Sequence, residues 1–187
     1  YMIMKLAAEG MLEPYSESFF DETDPLNYYV NNVSPFIKNV FDSGKITIEE
    51  KEHRWSEYAA GYMWGTTGIV YNPERVDTED LKQGWSILCD PKYKGKVTTK
   101  DNVRDSYFVG LAIVYKDELL ALDRTDPDYN KKLTEIMNYT EQDMYGENVV
   151  EKVKNVLLQM KKNIFGFETD TGKNDMMTGK ISMNFAW

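Results

Sequence analysis

The sequence predicts an α/β fold in which a mixed, mainly parallel β-sheet is covered by helices. From about residue 60, short apolar segments typical of strands alternate with amphipathic segments typical of helices. The chain is 42% hydrophobic and 28% charged, a balance that supports a packed core and excludes a disordered chain. Its 187 residues, without an internal repeat, provide for one such lobe and an additional segment.

The first third of the chain is predicted to be mainly helical. Residues 2–9 are strong helix formers, and residues 25–43 carry two further helical pieces. In the second of these pieces, Ser34 and Pro35 suit the N-cap and the first helical position. Residues 45–58 are charged, and their pattern does not distinguish helix from strand.

The rest of the chain alternates between strands and helices. The predicted elements are a strand region over 60–72, a short helix over 78–85, a strand over 96–99, a helix over 101–115, helices over 127–139 and 145–162, a strand over 164–167, a helix over 171–178 and a strand over 181–187. Asp101 is a plausible N-cap for the helix that follows it. We therefore predict a helical segment over 1–58 and a crossover strand with an α/β lobe over 59–187.

Composition excludes several classes of function. The net charge of −9 argues against a nucleic acid partner, because phosphate contacts need clustered lysines and arginines. The same acidity would attract cationic ligands, although it also serves solubility alone. A single cysteine excludes an internal disulfide, and no run of about 18 apolar residues predicts a membrane span.

The sequence offers no catalytic, metal or cofactor site. His53, the only histidine, lies in a charged stretch typical of a solvated surface, and nothing near it suggests a catalytic triad. One histidine and one cysteine are too few for a zinc site, and the glycine-rich phosphate-binding motifs are absent. Cys89 ends an apolar run and is interpreted as a small buried hydrophobic residue.

Acidic and aromatic side chains are the remaining candidates. Asp101 and Asp105 lie four residues apart at the start of a predicted helix, where they either complement the helix dipole or face a cationic ligand. Organic cations are held by carboxylates and by aromatic faces. The aromatic candidates are Trp64, Trp85, Trp187 and Tyr107. For Trp85, the hydrophobic core is the preferred interpretation.

Five segments, in the same order, resemble the spermidine/putrescine-binding proteins of ABC transporters. They are YMIMKLAAEGML at 1–12, YMWGTTGIVYN at 62–72, Trp85 with DPKYKGKV at 90–97, DNVRDSYFVGLA at 101–112 and MMTGKISMNFAW at 176–187. Together they reach from one end of the chain to the other, whereas residues 13–58 match poorly.

The resemblance implies a three-layer lobe like that of type II periplasmic binding proteins, with residues 1–58 as a remnant of lobe one and its connection. It implies a solute-binding component that captures a polyamine between two lobes and delivers it to a transporter permease, outside the cytoplasmic membrane. It further implies a monomer without a cofactor, attached to the membrane only if a lipid anchor lies upstream. The first residue is Tyr1, and both ends of the chain fall inside predicted elements, so we expect a longer protein.

The resemblance also implies ligand-binding residues. Asp105 matches an acid that pairs with a ligand ammonium, and Trp187 matches a tryptophan that stacks on the ligand chain. Asn102 stands where some relatives carry a second acid, which removes one charge and weakens the case for a particular polyamine. Trp64 and Thr66 lie in the crossover segment and are expected near the cleft.

Two alternatives remain open at this point. The same fold is compatible with another small organic solute or cation, and the asparagine at position 102 favours this alternative. An enzyme on this fold is less favoured, because it would need a covalent cofactor and Cys89 is the only evident anchor.

Overall fold

The structure is a computed structural model that describes residues 2–61 and 63–187. The chain divides into two compact units, Tyr1–Gly65 and Thr66–Trp187. The predicted boundary between residues 58 and 59 stays a prediction about the lobes of the whole protein.

The first unit contains short helices followed by a β-hairpin. Its elements are α1 (Met2–Ala8), α2 (Tyr28–Asn32), α3 (Pro35–Ser43), β1 (Lys45–Ile48) and β2 (Lys51–Arg54). The two helices predicted within residues 25–43 are both present. Pro35 takes the first position of α3, where its missing N–H costs no hydrogen bond.

The hairpin occupies a segment that the sequence pattern left undecided. β1 and β2 pair in antiparallel register, with Ile48 opposite Lys51. The two turn residues, Glu49 and Glu50, have φ angles of 48° and 65°. A two-residue hairpin turn with both φ angles positive matches the twist of the strands, but asparagine and glycine adopt it more easily than glutamate.

The second unit contains a four-stranded sheet and five helices among the residues described. The elements are β3 (Gly68–Tyr71), β4 (Val97–Lys100), α4 (Val103–Val114), α5 (Lys116–Leu120), α6 (Tyr129–Met137), α7 (Val149–Asn163), β5 (Gly166–Glu168), α8 (Gly172–Met177) and β6 (Met183–Ala186). The strand order is β3-β6-β4-β5. The pairs β6-β4 and β4-β5 are parallel and β3-β6 is antiparallel, so the sheet is mixed and mainly parallel, as predicted.

Helices cover both faces of this sheet. All four residues of β4 are buried, although alternate side chains of a strand point to opposite faces. On one face, Thr98 donates a hydrogen bond of 3.1 Å to Asn184, and a methyl group on Gly172 of α8 would meet Asn184 at 2.3 Å. On the other face, Val97 and Phe185 belong to a core cluster shared with α4 and α7.

The core on that second face joins strands, helices and the turn-rich segment between β3 and β4. Its fully buried members include Ile87, Leu88, Val97, Val109, Met160, Met183 and Phe185. Asn163, at the end of α7, donates hydrogen bonds of 2.9 and 3.0 Å to the carbonyls of Leu88 and Asp90. These bonds fix the segment at the amino end of β4, where a buried carbonyl without a partner would be costly.

Several element boundaries differ from the predictions. Asn102, and not Asp101, is the N-cap of α4, and its Oδ1 accepts hydrogen bonds from the N–H groups of Arg104 and Asp105. Asn148 caps α7 in the same way. Among the described residues, no helix is long and apolar enough to cross a membrane.

Asp143 organises the turn that leads into α7. Its Oδ2 accepts hydrogen bonds from the Tyr115 hydroxyl at 2.9 Å and from Lys152 at 2.7 Å. Its Oδ1 accepts from the backbone N–H groups of Tyr145 and Glu147 at 2.9 and 3.0 Å. The hydrogen bond from Lys152 is the main cause that lowers the pKa of Asp143 below its ordinary value of 3.8.

We expect Asp143→Asn to lose stability in a pH-dependent way. Because the pKa of Asp143 is lower in the folded state, the carboxylate stabilises the fold above its unfolded pKa, and this contribution is lost as the pH falls towards the folded pKa. The gap in unfolding free energy between wild type and variant should therefore be full at pH 7 and shrink below about pH 4. Urea unfolding monitored by circular dichroism measures it, and a gap that stays constant down to pH 2 would contradict the expectation.

Candidate functional site

The candidate site lies at the carboxyl edge of the parallel strands in the second unit. Ligand sites in α/β sheets form at this edge, because the loops that leave neighbouring strands meet there. Asn102 and α4 follow β4, and Trp187 follows β6. β3 runs the opposite way with Gly68 opposite Ala186, so its first residue lies at the same edge.

A cavity of about 630 Å³ opens at this edge. All of its lining residues belong to the second unit. They are Thr67, Asn102, Val103, Arg104, Asp105, Tyr107, Phe108, Leu111, Met137, Asn138, Phe185 and Trp187. The structure thus brings together three of the five predicted site residues, Asp105, Asn102 and Trp187.

Asp105 has the most unusual environment in this cavity. It stands in the first turn of α4, where a negative charge is favoured by the helix dipole. Its Oδ2 is buried and has no hydrogen-bond partner among the described residues. Buried carboxylate oxygens normally have a hydrogen-bond partner, and this oxygen has none among the described residues. It could therefore accept a hydrogen bond from a bound cation.

The side chain of Asn102 caps the helix that carries Asp105. Its Oδ1 is engaged by the two N–H groups at the start of α4, at 2.9 and 3.2 Å. An aspartate would cap the helix equally well. The asparagine therefore keeps the helix start in place and brings no charge to the cavity.

Trp187 forms a wall of the cavity. It directly follows β6, and the residue is 62% exposed. The ammonium of Lys100 lies 4.7 Å from the centroid of its ring. An aromatic face of this size and exposure offers a surface on which the methylene chain of a ligand packs.

The two predicted crossover residues are not among the residues that line this cavity. Thr66 is exposed and is the first residue of the second unit, but its neighbour Thr67, and not Thr66, lines the cavity. Trp64 is exposed and belongs to the first unit, in an irregular segment. Tyr62, from the same motif, lies outside the described residues. Roles for Trp64 and Thr66 in binding stay predictions.

Other cavity residues were not singled out in the sequence. Arg104 brings a positive charge and Phe108 brings exposed aromatic surface, whereas Phe185 lies beneath them in the core. Lys100 and Glu168 do not line this cavity, but they end two neighbouring parallel strands, where the rule that sites form at strand ends points to them. Trp85 packs edge to face on Phe185, with ring centroids 5.1 Å apart, which agrees with its interpretation as core.

The environments of Cys89 and His53, the residues considered for catalysis, do not suggest a catalytic role. Burial raises the pKa of the Cys89 thiol, which lowers its reactivity. His53 lies in the first unit with its Nδ1 2.8 Å from Glu57 Oε2. Among the residues described, no group of three or more histidine, cysteine, aspartate or glutamate side chains is placed to hold a metal ion.

Comparison with known proteins gives a consistent family assignment. The family described as bacterial extracellular solute-binding protein matches residues 1–183. The spermidine/putrescine-binding periplasmic proteins of Escherichia coli strain K12 and of Shigella flexneri are each 23% identical to the chain, over 94% of the chain and 46% of their own length. The chain thus spans about half the length of the curated relatives it matches.

Two solved structures share the fold. A spermidine/putrescine ABC transporter substrate-binding protein from Streptococcus pneumoniae matches with a TM-score of 0.60 and 23% identity, over 98% of this chain and 44% of that one. A putative spermidine/putrescine ABC transporter protein from Listeria monocytogenes matches with a TM-score of 0.57 and 20% identity, with the same coverage. These likenesses confirm the predicted fold, that of type II periplasmic binding proteins.

Proposed function

The chain belongs to the bacterial extracellular solute-binding protein family, and from this premise we propose that the whole protein binds a polyamine, spermidine or putrescine, for import by an ABC transporter. The observation that carries the proposal is the buried, unpartnered Oδ2 of Asp105 in an aromatic-lined cavity. A protonated amine supplies the missing partner, because a charge-assisted hydrogen bond offsets the cost of burying both groups.

The cavity suits the two parts of a polyamine. An ammonium group pairs with Asp105, and the methylene chain packs on Trp187 and on the neighbouring Phe108. The cavity forms one wall of a cleft between the two lobes of the whole protein. Closure of the lobes around the ligand then produces the form that docks on the permease.

This function places the protein outside the cytoplasmic membrane, as a monomer that carries out no chemical reaction. The periplasmic location of the curated relatives supports the first point. The family assignment supports the last, since the matched family is described as a solute-binding protein.

A second candidate ligand is a small amine that also carries an anionic group. Arg104 lines the same cavity as Asp105, and position 102 carries no charge. A guanidinium binds carboxylates and phosphates well, so a zwitterion would engage both Asp105 and Arg104.

Isothermal titration calorimetry of the full-length protein separates these candidates. We expect binding heat with putrescine or spermidine and none with the matched ω-amino acid, 4-aminobutanoate, in which a carboxylate replaces one ammonium group. Heat only with 4-aminobutanoate would favour the zwitterion. No heat with either polyamine would refute the polyamine proposal.

A further inference from the structure

Trp187 separates two cavities of the second unit. The first is the cavity of about 630 Å³ that contains Asp105. The second, of about 400 Å³, lies on the other side of the sheet edge and is lined by Val70, Lys100, Glu168, Asp170, Lys173, Met176, Met177, Asn184, Ala186 and Trp187. Trp187 is the residue that lines both, whereas Lys100 lines only the second. The ammonium of Lys100 therefore approaches the ring from the cavity that Asp105 does not line.

Lys100 is held there by a buried ion pair. Its Nζ lies 2.9 Å from Glu168 Oε1, and the two side chains are 5% and 3% exposed. It also donates to the carbonyl of Thr169. Glu168 Oε2 accepts a hydrogen bond of 2.9 Å from the N–H of Gly172, so both ends of the pair are fixed.

The ring of Trp187 completes the surroundings of the ammonium. The 4.7 Å distance from Nζ to the ring centroid is within the range of a cation–π contact. In the Glu168–Lys100 pair, the positive group is thus in contact with the ring. It places a positive potential next to the tryptophan.

Resting on the proposed function, we propose that Lys100 is a positioning residue that determines specificity at Trp187. Lys100 holds the Trp187 ring in place, and its positive charge repels a second cation from the ring face towards Asp105. That face then accepts the uncharged methylene segment of a ligand, and the ammonium is directed to Asp105. The site thus selects linear alkylamines over compact cations such as quaternary ammonium ions, which bind by resting their charge on an aromatic face.

The test compares putrescine with choline in calorimetric titrations of the full-length protein. Lys100→Met combined with Glu168→Gln removes both charges, keeps unbranched side chains of similar size and retains an acceptor for the N–H of Gly172. We expect this double variant to shift the ratio of the two affinities towards choline by roughly fivefold. Lys100→Arg, which retains the cation, should keep the wild-type ratio.

Lys180→Met is the matched control. Lys180 lies 4.5 Å from the Phe165 ring and pairs with Asp175, and it lines neither cavity. Its replacement should leave the ratio unchanged. If Lys100 had only a structural role, the double variant would bind putrescine and choline more weakly by the same factor. An unchanged ratio of the two affinities therefore overturns the specificity proposal.

A second readout needs no ligand. The emission of Trp187, obtained by subtracting the spectrum of Trp187→Phe, should change in the double variant and not in Lys180→Met. An unchanged Trp187 emission overturns the positioning role. If neither ligand binds the wild-type protein, the polyamine proposal and the specificity claim fall together. Emission then still decides whether Lys100 contacts the ring.

Discussion

Asp105→Asn is expected to weaken polyamine binding by the full-length protein about 100-fold. The substitution keeps the shape of the side chain and replaces its charge with a neutral amide. In the wild-type protein Asp105 Oδ2 is buried without a partner, so the ligand ammonium is the group that this oxygen is positioned to receive. The variant would leave that ammonium in the cavity without a countercharge.

Calorimetry with spermidine and putrescine measures the loss, and Asp117→Asn is its matched control. Asp117 is an exposed acid in the first turn of α5, in the same unit, and it makes the same change in net charge. The control should bind as the wild type does. Equal affinities for Asp105→Asn and the wild type would refute the role of Asp105, provided that both proteins melt at similar temperatures.

Lys100→Met alone is expected to lower the unfolding free energy by about 3–5 kcal/mol. The single substitution leaves the carboxylate of Glu168 buried without its ammonium partner, since the two side chains are 5% and 3% exposed in the pair. Adding Glu168→Gln removes that charge and should recover most of the lost unfolding free energy. Guanidinium unfolding of the full-length protein measures both values.

The ion pair of Lys180 and Asp175 is more exposed than the pair of Lys100 and Glu168 and serves as the comparison. Its atoms lie 3.2 Å apart and its side chains are 51% and 21% exposed, so water screens most of the interaction. Lys180→Met should cost no more than about 1 kcal/mol. A loss of that small size for Lys100→Met as well would show that the buried pair is not required for folding.

Sequence patterns predicted the second unit well because its elements follow simple rules. Strands that alternate with helices specify a mainly parallel sheet, and the sheet edge then gathers whatever follows each strand. The resemblance to the spermidine/putrescine-binding proteins singled out Asp105, Asn102 and Trp187, and the sheet edge brings these three residues to one cavity. Their roles in binding remain to be tested by the variants above.

Three features could not be predicted because no residue pattern specifies them: the hairpin turn, the N-cap of α4 and the burial of Lys100. Glu49 and Glu50 make a tight turn without glycine or asparagine, so the hairpin around them was not recognised. Asp101 and Asn102 are both good N-caps, and only the chain path after β4 selects the second. Lys100 is a charged residue in a short strand, and its burial depends on Glu168, which is 68 positions away.

The antiparallel pairing of β3 with β6 has a mechanical consequence. Gly68 faces Ala186 in the ladder, so the backbone that enters β3 and the backbone that leaves β6 are tied one residue away from Thr67 and Trp187. The start of β3 and the end of β6 are therefore neighbours in the sheet, and the chain leaves it at Thr67 and at Trp187 side by side. A substitution that displaced the start of β3 would thus also displace the backbone beside the tryptophan.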